Sequence, residues 1–184
     1  GQFTSLAIGS DGLPAISYFH YSNASLKMAK CGNATCSSGN ILTTIDTSSP
    51  TELHTAIAIG TDGLPVISYY HSSDADLKVV KCGNATCSSG NTITTIDSIG
   101  IVGQFLSIAL GNDNLPVISY SDGTNLDLKV ARCATNSCST TVGDVFTGGS
   151  ILGGLMANPR SYGAPFQAVN TIQIANPTTF QNFS

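Results

Sequence analysis

Short runs of alternating apolar and polar residues, separated by turn residues, dominate the first part of the chain. Residues 5–8 read Ser-Leu-Ala-Ile, and alternation of this kind is typical of a half-buried β-strand. Residues 14–18 begin with proline, which a strand tolerates at its start, and continue with residues that suit a pleated sheet. Further runs at 26–31 and 41–46 follow polar connections. No apolar stripe of helical period is present, so the pattern predicts four short strands.

The whole four-strand pattern then recurs at a fixed interval. "SLAIGSDGLPAISY" begins at Ser5, "AIAIGTDGLPVISY" at Ala56 and "SIALGNDNLPVISY" at Ser107, so both intervals are 51 residues. Self-similarity at such a period is typical of solenoids, propellers and related arrays. The sequence predicts an all-β fold of three tandem, four-stranded, blade-like repeats, arranged as a propeller or as an open array. The three units span about residues 1–51, 52–102 and 103–147.

A short turn joins the first two strands of each unit. Its residues are Asp11-Gly12, Asp62-Gly63 and Asp113-Asn114, and Gly and Asn accept the positive φ of a tight turn. The units resemble the blades of sialidase-type and related bacterial propellers, in which an Asp-Gly turn joins the first two strands. The resemblance covers roughly residues 1–147 and implies a blade-like fold. The true Asp-box, Asp-x-Gly followed by an aromatic residue, is missing, and the chain contains no Trp.

Three blades are fewer than the roughly 4–8 of closed propellers, so open faces and edges are expected. The tail could supply a further blade, several chains could complete one another, or the units could stack as an open array. The tail, 148–184, begins Gly- and Pro-rich and contains one predicted strand near 169–175. It would pack on its own domain or lie along the exposed edge of a neighbouring chain. The predicted assembly residues are Val169, Ile172, Ile174 and Phe180.

The cysteines favour disulfides over a metal or redox site. A zinc site would need converging knuckles, and His20 and His71 recur in the first two units but give way to Asp122 in the third. No redox Cys-x-x-Cys motif is present. A disulfide across a four-residue hairpin tip is geometrically feasible, stabilises by about 2 kcal/mol, and indicates an oxidising, extracellular setting. The predicted pairs are Cys31–Cys36, Cys82–Cys87 and Cys133–Cys138.

Asn-x-Ser/Thr triplets occur in two of the cysteine loops and at two other places in the chain. They begin at Asn23, Asn33, Asn84 and Asn182, and such triplets are acceptors for N-linked sugar in secreted proteins. Asn and Thr are also good turn residues, so glycosylation and simple turn formation both remain open. The third cysteine loop has no such triplet.

Composition excludes several partners. Charged residues make up only 10% of the chain and the formal net charge is −4, so no basic stripe for nucleic acid or anionic lipid is present. No apolar run approaches the ~18 residues of a membrane span. A neutral polar surface of this kind is common in secreted β-proteins and adhesins.

Candidate catalytic chemistry is sparse. A glycosidase needs two facing carboxylates, yet Glu52 is the only Glu and most Asp residues lie at turns. Arg132 and Arg160 are the only arginines, too few for the Arg cluster that the sialidase resemblance would require. Nucleophile-elbow and phosphate-loop motifs are absent. We therefore expect no catalytic residue, no cofactor and no metal, and we interpret His20 and His71 as structural.

Two functional hypotheses follow. In the first, the chain is a non-enzymatic extracellular subunit that self-assembles into a fibre, filament or surface layer through exposed β edges and its tail. In the second, it is an adhesin- or lectin-like module that binds glycans or a cell-surface partner at one end of a propeller. The first predicts a homo-oligomer or filament, whereas the second predicts a carbohydrate ligand.

Overall fold

The computed structural model describes residues 1–48 and 54–139, and the account that follows concerns them. Regular structure in these ranges is β-strand, apart from one 3-10 turn at Tyr21–Asn23. The strands are β1 Gln2–Ile8, β2 Pro14–His20, β3 Ser25–Lys30, β4 Ile41–Asp46, β5 Thr55–Ile59, β6 Pro65–His71, β7 Asp76–Lys81, β8 Thr92–Asp97, β9 Val102–Leu110, β10 Pro116–Asp122 and β11 Asp127–Arg132.

Each sequence unit folds into one antiparallel sheet. Strands β1 to β4 pair in sequential order, β5 to β8 do the same, and β9 to β11 form the third sheet. The predicted all-β fold of tandem blade-like repeats is therefore confirmed. The fourth strand expected for the third unit lies outside the described residues, as does the tail with Val169, Ile172, Ile174 and Phe180.

The Asp residue of each short turn locks that turn and also ties it to the third strand. Asp62 Oδ1 accepts the N–H of Leu64 and lies 2.8 Å from Lys81 Nζ. Lys81 also donates to the Leu64 carbonyl oxygen. Burial opposes ionisation of Asp62, but the hydrogen bonds from Lys81 and Leu64 outweigh it and lower the pKa of the carboxyl. The same ion pair recurs in the other two units as Asp11–Lys30 and Asp113–Arg132.

The sheets stack face to face, and the hydrophobic core lies between them. The first strands β1, β5 and β9 contact one another in succession, so they are the inner strands, while β4 and β8 form outer edges. The core between the first two sheets contains Ala15, Phe19, Leu26, Met28, Ile57, Ile67, Tyr69, Val80, Cys82 and Cys87. The core between the second and third contains Val66, Leu77, Val79, Val102, Ile118, Tyr120, Ala131, Cys133 and Cys138.

These two cores divide every sheet into two faces. The leading face carries the repeat positions of Leu26 and Leu77 and packs against the next sheet. The trailing face carries the positions of Ile67 and Ile118 and packs against the preceding sheet. Because side chains alternate along a strand, one strand supplies both faces, and the second sheet is covered on both sides.

The cysteine loops belong to the trailing face. The disulfides Cys31–Cys36, Cys82–Cys87 and Cys133–Cys138 join Cα atoms 4.8, 4.7 and 4.6 Å apart. The sequence suggested that each disulfide bridges a hairpin tip. In the structure, each disulfide instead closes a turn directly after the third strand. The connection to the fourth strand folds back on itself at Asn40, whose Oδ1 accepts the Gly32 N–H and whose Nδ2 donates to the Cys36 carbonyl oxygen. The cysteine spacing alone could not show this fold-back.

In the second and third units this loop packs on the preceding sheet. Cys82 and Cys87 are almost fully buried, at 1% and 0% exposure. Thr43 on β4 donates through Oγ1 to the Thr86 carbonyl oxygen over 2.7 Å. The disulfide therefore shapes a surface that one sheet presents to the next, and its repetition follows from the repetition of the interface.

Replacing Asp62 will test the turn lock. We expect Asp62→Ala to lower the free energy of unfolding by about 1 kcal/mol, because it removes a hydrogen-bond acceptor and a partly exposed ion pair. Asp62→Asn should lower it less, since the amide oxygen still accepts the Leu64 N–H. Urea denaturation measures both. Asp127→Ala on β11, whose carboxylate makes no side-chain hydrogen bond within the described ranges, is the control; an equal loss there would contradict the assignment.

Candidate ligand-binding site

Three aromatic rings meet where the inner strands begin, at the end of the sheets opposite the Asp turns. They belong to Phe3, His54 and Phe105, which occupy the same repeat position 51 residues apart. The Phe3 and His54 ring centroids lie 4.5 Å apart, and those of His54 and Phe105 lie 4.6 Å apart. We call these three rings the axial aromatic cluster, because the inner strands that carry them run side by side.

The two phenylalanines of this cluster sit in unusual backbone conformations. Phe3 and Phe105 have φ of 51° and 49°, a region that bulky residues rarely occupy. Each lies where strand pairing is irregular, between Gln2 and Ser5 in β1 and beside Gln104 in β9. Such bulges re-aim a side chain, and strain of this kind concentrates at functional sites.

The re-aimed rings are accessible to solvent. Phe105 is 74% exposed and Phe3 is 36% exposed, although a large apolar side chain would ordinarily gain from burial. The bulge at Phe3 is fixed by Thr55, whose Oγ1 donates to the Phe3 carbonyl oxygen over 3.0 Å. Burial raises the pKa of the nearby Tyr70 phenol, which is hydrogen-bonded to Gln104. Flat apolar rings with amide and hydroxyl groups beside them are therefore present at one open surface.

Polar side chains tie the sheets together at the same end. Tyr69 donates through its hydroxyl to Asp46 Oδ2 over 2.7 Å, and Ser48 donates to Asp46 Oδ1. Burial opposes ionisation of Asp46, but the hydrogen bonds from Ser48 and Tyr69 outweigh it and lower the pKa of the carboxyl. His71 lies in this tie, with Nε2 2.9 Å from Ser48 Oγ and Nδ1 3.1 Å from Asp74 Oδ2. Its burial between two sheets supports a structural role.

The Tyr–Asp hydrogen bond recurs between the second and third sheets, but a different charged group lies beside it. Tyr120 donates to Asp97 Oδ2 over 2.8 Å, and Lys129 Nζ lies 2.6 Å from that same oxygen and 3.5 Å from Asp122 Oδ2. Asp122 occupies the repeat position of His71, and both it and Lys129 are buried. These carboxylates are engaged in hydrogen bonds and ion pairs inside an interface.

A small cleft lies between the first two sheets at the Asp-turn end. Its volume is about 70 Å³, and Asp11, Lys30, Pro65 and Ala85 are among its lining residues. That volume is well below the roughly 300–1,000 Å³ that is typical of small-molecule pockets, so the cleft is a poor candidate for holding a sugar. The axial aromatic cluster is the better candidate for a ligand of that size.

The asparagines of the predicted glycosylation triplets have different surroundings. Asn23 ends the 3-10 turn and is exposed. Asn33 is half-buried, and its Oδ1 accepts the N–H groups of Thr35 and Ser37 while its Nδ2 donates to serine hydroxyls. Asn84 repeats this arrangement. Asn33 and Asn84 thus organise their loops, glycosylation stays a prediction, and Asn182 lies outside the described residues.

Within residues 1–48 and 54–139, no group of three or more His, Cys, Asp or Glu side chains could hold a metal ion. All cysteines in these ranges are in disulfides. No helix in the described part of the chain is long and apolar enough to cross a bilayer.

Sequence reasoning missed the aromatic cluster and the Tyr–Asp ties. The period contained signals for both. "GQF" occurs at Gly1 and again at Gly103, which places Phe3 and Phe105 in register, and the intervening unit has His54 there. The Asp-to-Tyr separation of 23 residues also occurs twice, but nothing in the sequence shows that the two residues face each other from different sheets.

No protein-family model and no curated protein sequence matches the chain. Solved structures do share its fold. A fucose lectin from Kordia zhangzhouensis, in complex with methyl-fucoside, is 10% identical with a TM-score of 0.51, over 80% of this chain and 98% of the lectin chain. An α-L-arabinofuranosidase from Lactobacillus brevis is 11% identical with a TM-score of 0.54, over 79% of this chain and 52% of the enzyme chain. The chain thus spans about half of the enzyme, and both likenesses support a propeller-like fold.

Removing the Tyr69 hydroxyl will test the tie between the first two sheets. We expect Tyr69→Phe to lower the free energy of unfolding at neutral pH by about 1.5–3 kcal/mol, because it deletes a hydrogen bond to a charged, largely buried acceptor. The folded-state pKa of Asp46 is lowered, so this stabilisation exists above its ordinary pKa of about 3.9 and is lost as pH falls through the lowered value. The difference from wild type should therefore shrink in acid.

Urea denaturation at several pH values provides the measurement. Tyr21→Phe is the matched control, because the Tyr21 side chain is 74% exposed. A Tyr69→Phe effect that is independent of pH would show that Asp46 is not the partner that matters.

Proposed function

We propose that this chain is a non-enzymatic, glycan-binding module with a propeller-like fold, and that the axial aromatic cluster is its binding site. The exposed Phe105 ring, held on a strained backbone and tilted at 44° against the His54 ring, carries the proposal. A flat aromatic face covers the C–H face of a sugar ring, and neighbouring polar groups orient the hydroxyls.

The electrostatics of the chain suit a neutral ligand. Charged residues make up 10% of the sequence, and two charged groups at this end of the sheets, Asp46 and Lys129, are engaged in inter-sheet contacts. A neutral sugar would meet amide, hydroxyl and aromatic groups without having to displace an ion pair. The fold likeness to a fucose lectin supports a carbohydrate as the ligand class.

The absence of enzymatic activity is part of the proposal. Glycoside hydrolysis uses two carboxyl groups that face a shared substrate. Asp46, Asp97 and Asp122 instead accept hydrogen bonds or ion pairs within the interfaces. Three disulfides accord with an extracellular setting. Assembly into a fibre or surface layer stays a prediction.

Glycan-array screening of the full chain, followed by titration calorimetry with the best ligand, will test this proposal. Methyl-fucoside is a defined first probe. We expect Phe105→Ala to weaken binding at least about tenfold, which corresponds to about 1.4 kcal/mol, because the variant loses a stacking face. The fold should be unaffected, since the ring is already 74% exposed.

Tyr21→Ala is the control, because it removes an equally exposed aromatic ring outside the axial aromatic cluster. It should leave binding unchanged. The proposal fails if no glycan binds, or if Phe105→Ala binds as tightly as wild type.

A further inference from the structure

Among the described residues, two sheet faces at opposite ends of the stack are not covered by a neighbouring sheet, although the equivalent faces of the other units are. The second sheet buries its leading face on the third sheet and its trailing face on the first. The leading face of the third sheet and the trailing face of the first have no such neighbour among the described residues. The contrast is measurable residue by residue, because the repeat supplies matched positions.

On the leading face the contrast is clearest at one leucine position. Leu26 and Leu77 are 0% exposed between sheets, whereas Leu128, at the same position of the third unit, is 50% exposed. Val117 and Val130 beside it are also only partly buried. Their counterparts are covered by the following sheet.

On the trailing face the same contrast appears at the inner strand. Ile57 is 6% exposed in the second unit, whereas Leu6, its counterpart in the first, is 57% exposed. Tyr18 and His20 stand at the positions of Tyr69 and His71, but no sheet of the described part of the chain precedes theirs.

The chain itself shows what fits these faces. Leading and trailing faces of this sequence pattern meet twice within it, with Leu26 in the same core as Val80 and Leu77 in the same core as Ala131. We propose that a second copy of this chain covers both open faces. The third sheet of each copy packs its leading face on the trailing face of the first sheet of the other, and the two copies close into a ring of six sheets.

The number of copies follows from the sheet count. The three sheets of residues 1–48 and 54–139 are too few for a closed propeller, nine would exceed the usual range, and six fall within the roughly 4–8 blades that are typical. The contact joins two different surfaces, and such heterologous contacts form a ring when the rotation closes. The inner strands β1, β5 and β9 contact one another in succession, as the inner strands around the axis of a ring do.

The chain's own tail is the competing occupant, and the sequence favours a second copy. Residues 140–184 contain no cysteine pair and no Asp turn of the repeat type. A single segment would also have to cover faces at opposite ends of the stack. One difference weakens the contact between copies: Gly148 stands at the repeat position of Asp46 and Asp97. The carboxylate that anchors Tyr69 and Tyr120 is thus missing there, so association should be reversible.

Sedimentation velocity and light scattering on the full chain will test the ring. We expect a concentration-dependent species with twice the mass of one chain and nothing larger. Leu128→Glu and Leu6→Glu should each abolish that species, because either change places a charge in both contacts of the ring. Leu126→Glu, at an 87% exposed turn position, should leave it intact.

Mixing the two defective variants gives the decisive result. The Leu6→Glu chain has an intact leading face and the Leu128→Glu chain an intact trailing face, so together they can form one unaltered contact. We expect a one-to-one pair, weaker than the wild-type species, and its recovery would also show that both variants are folded. A wild-type chain that stays single at high concentration, a mixture that does not pair, or growth beyond two copies would overturn the proposal.

Discussion

Each of these sheets has two apolar faces, and covering both is favourable because it removes apolar surface from water. Alternation along β6 shows the constraint directly: Val66 faces the third sheet and Ile67 faces the first, and both are fully buried. Stacking also explains why the disulfide loop, the Thr43 hydrogen bond and the Tyr69–Asp46 bond occur where they do. Each one joins a sheet to its neighbour. The contacts between sheets therefore recur with the same period of 51 residues as the strands do.

The two ends of the stack differ in how strictly the units repeat. At the Asp-turn end, all three units keep the same ion pair, with Arg132 replacing lysine in the third. At the opposite end the repeat positions diverge, from Phe3 to His54 and back to Phe105 on the inner strands. The ion pair at the short turn stabilises the same geometry in every unit, so it can recur without change. A ligand surface gains from different groups at equivalent positions, which accords with recognition at the aromatic end.

The sequence was informative where structure depends on neighbours along the chain. Strand alternation, the Asp-Gly turns and the cysteine spacing are local, and β4 and β8 lie at the predicted residues, Ile41–Asp46 and Thr92–Asp97. It was uninformative where a contact joins different sheets. Tyr69 and Asp46 are 23 residues apart, and only the stacking brings them together. The bulge at Phe3 was missed for a related reason, because a positive φ at phenylalanine contradicts its own preference and is held by Thr55 from the next sheet.

A fibre and a ring are two outcomes of the same contact. Both require a leading face to meet a trailing face of another copy, and they differ only in whether successive rotations return to the start. In the proposed contact, burial of the exposed Leu6 and Leu128 side chains would favour either outcome. In the proposed ring, face-to-face stacking places the inner strands of successive sheets side by side, as β1, β5 and β9 are in one chain, and this arrangement favours return. Edge pairing through β4 or β8 would instead extend the sheets outward without using the two uncovered apolar faces. The free energy gained by removing those apolar faces from water therefore favours closure over extension.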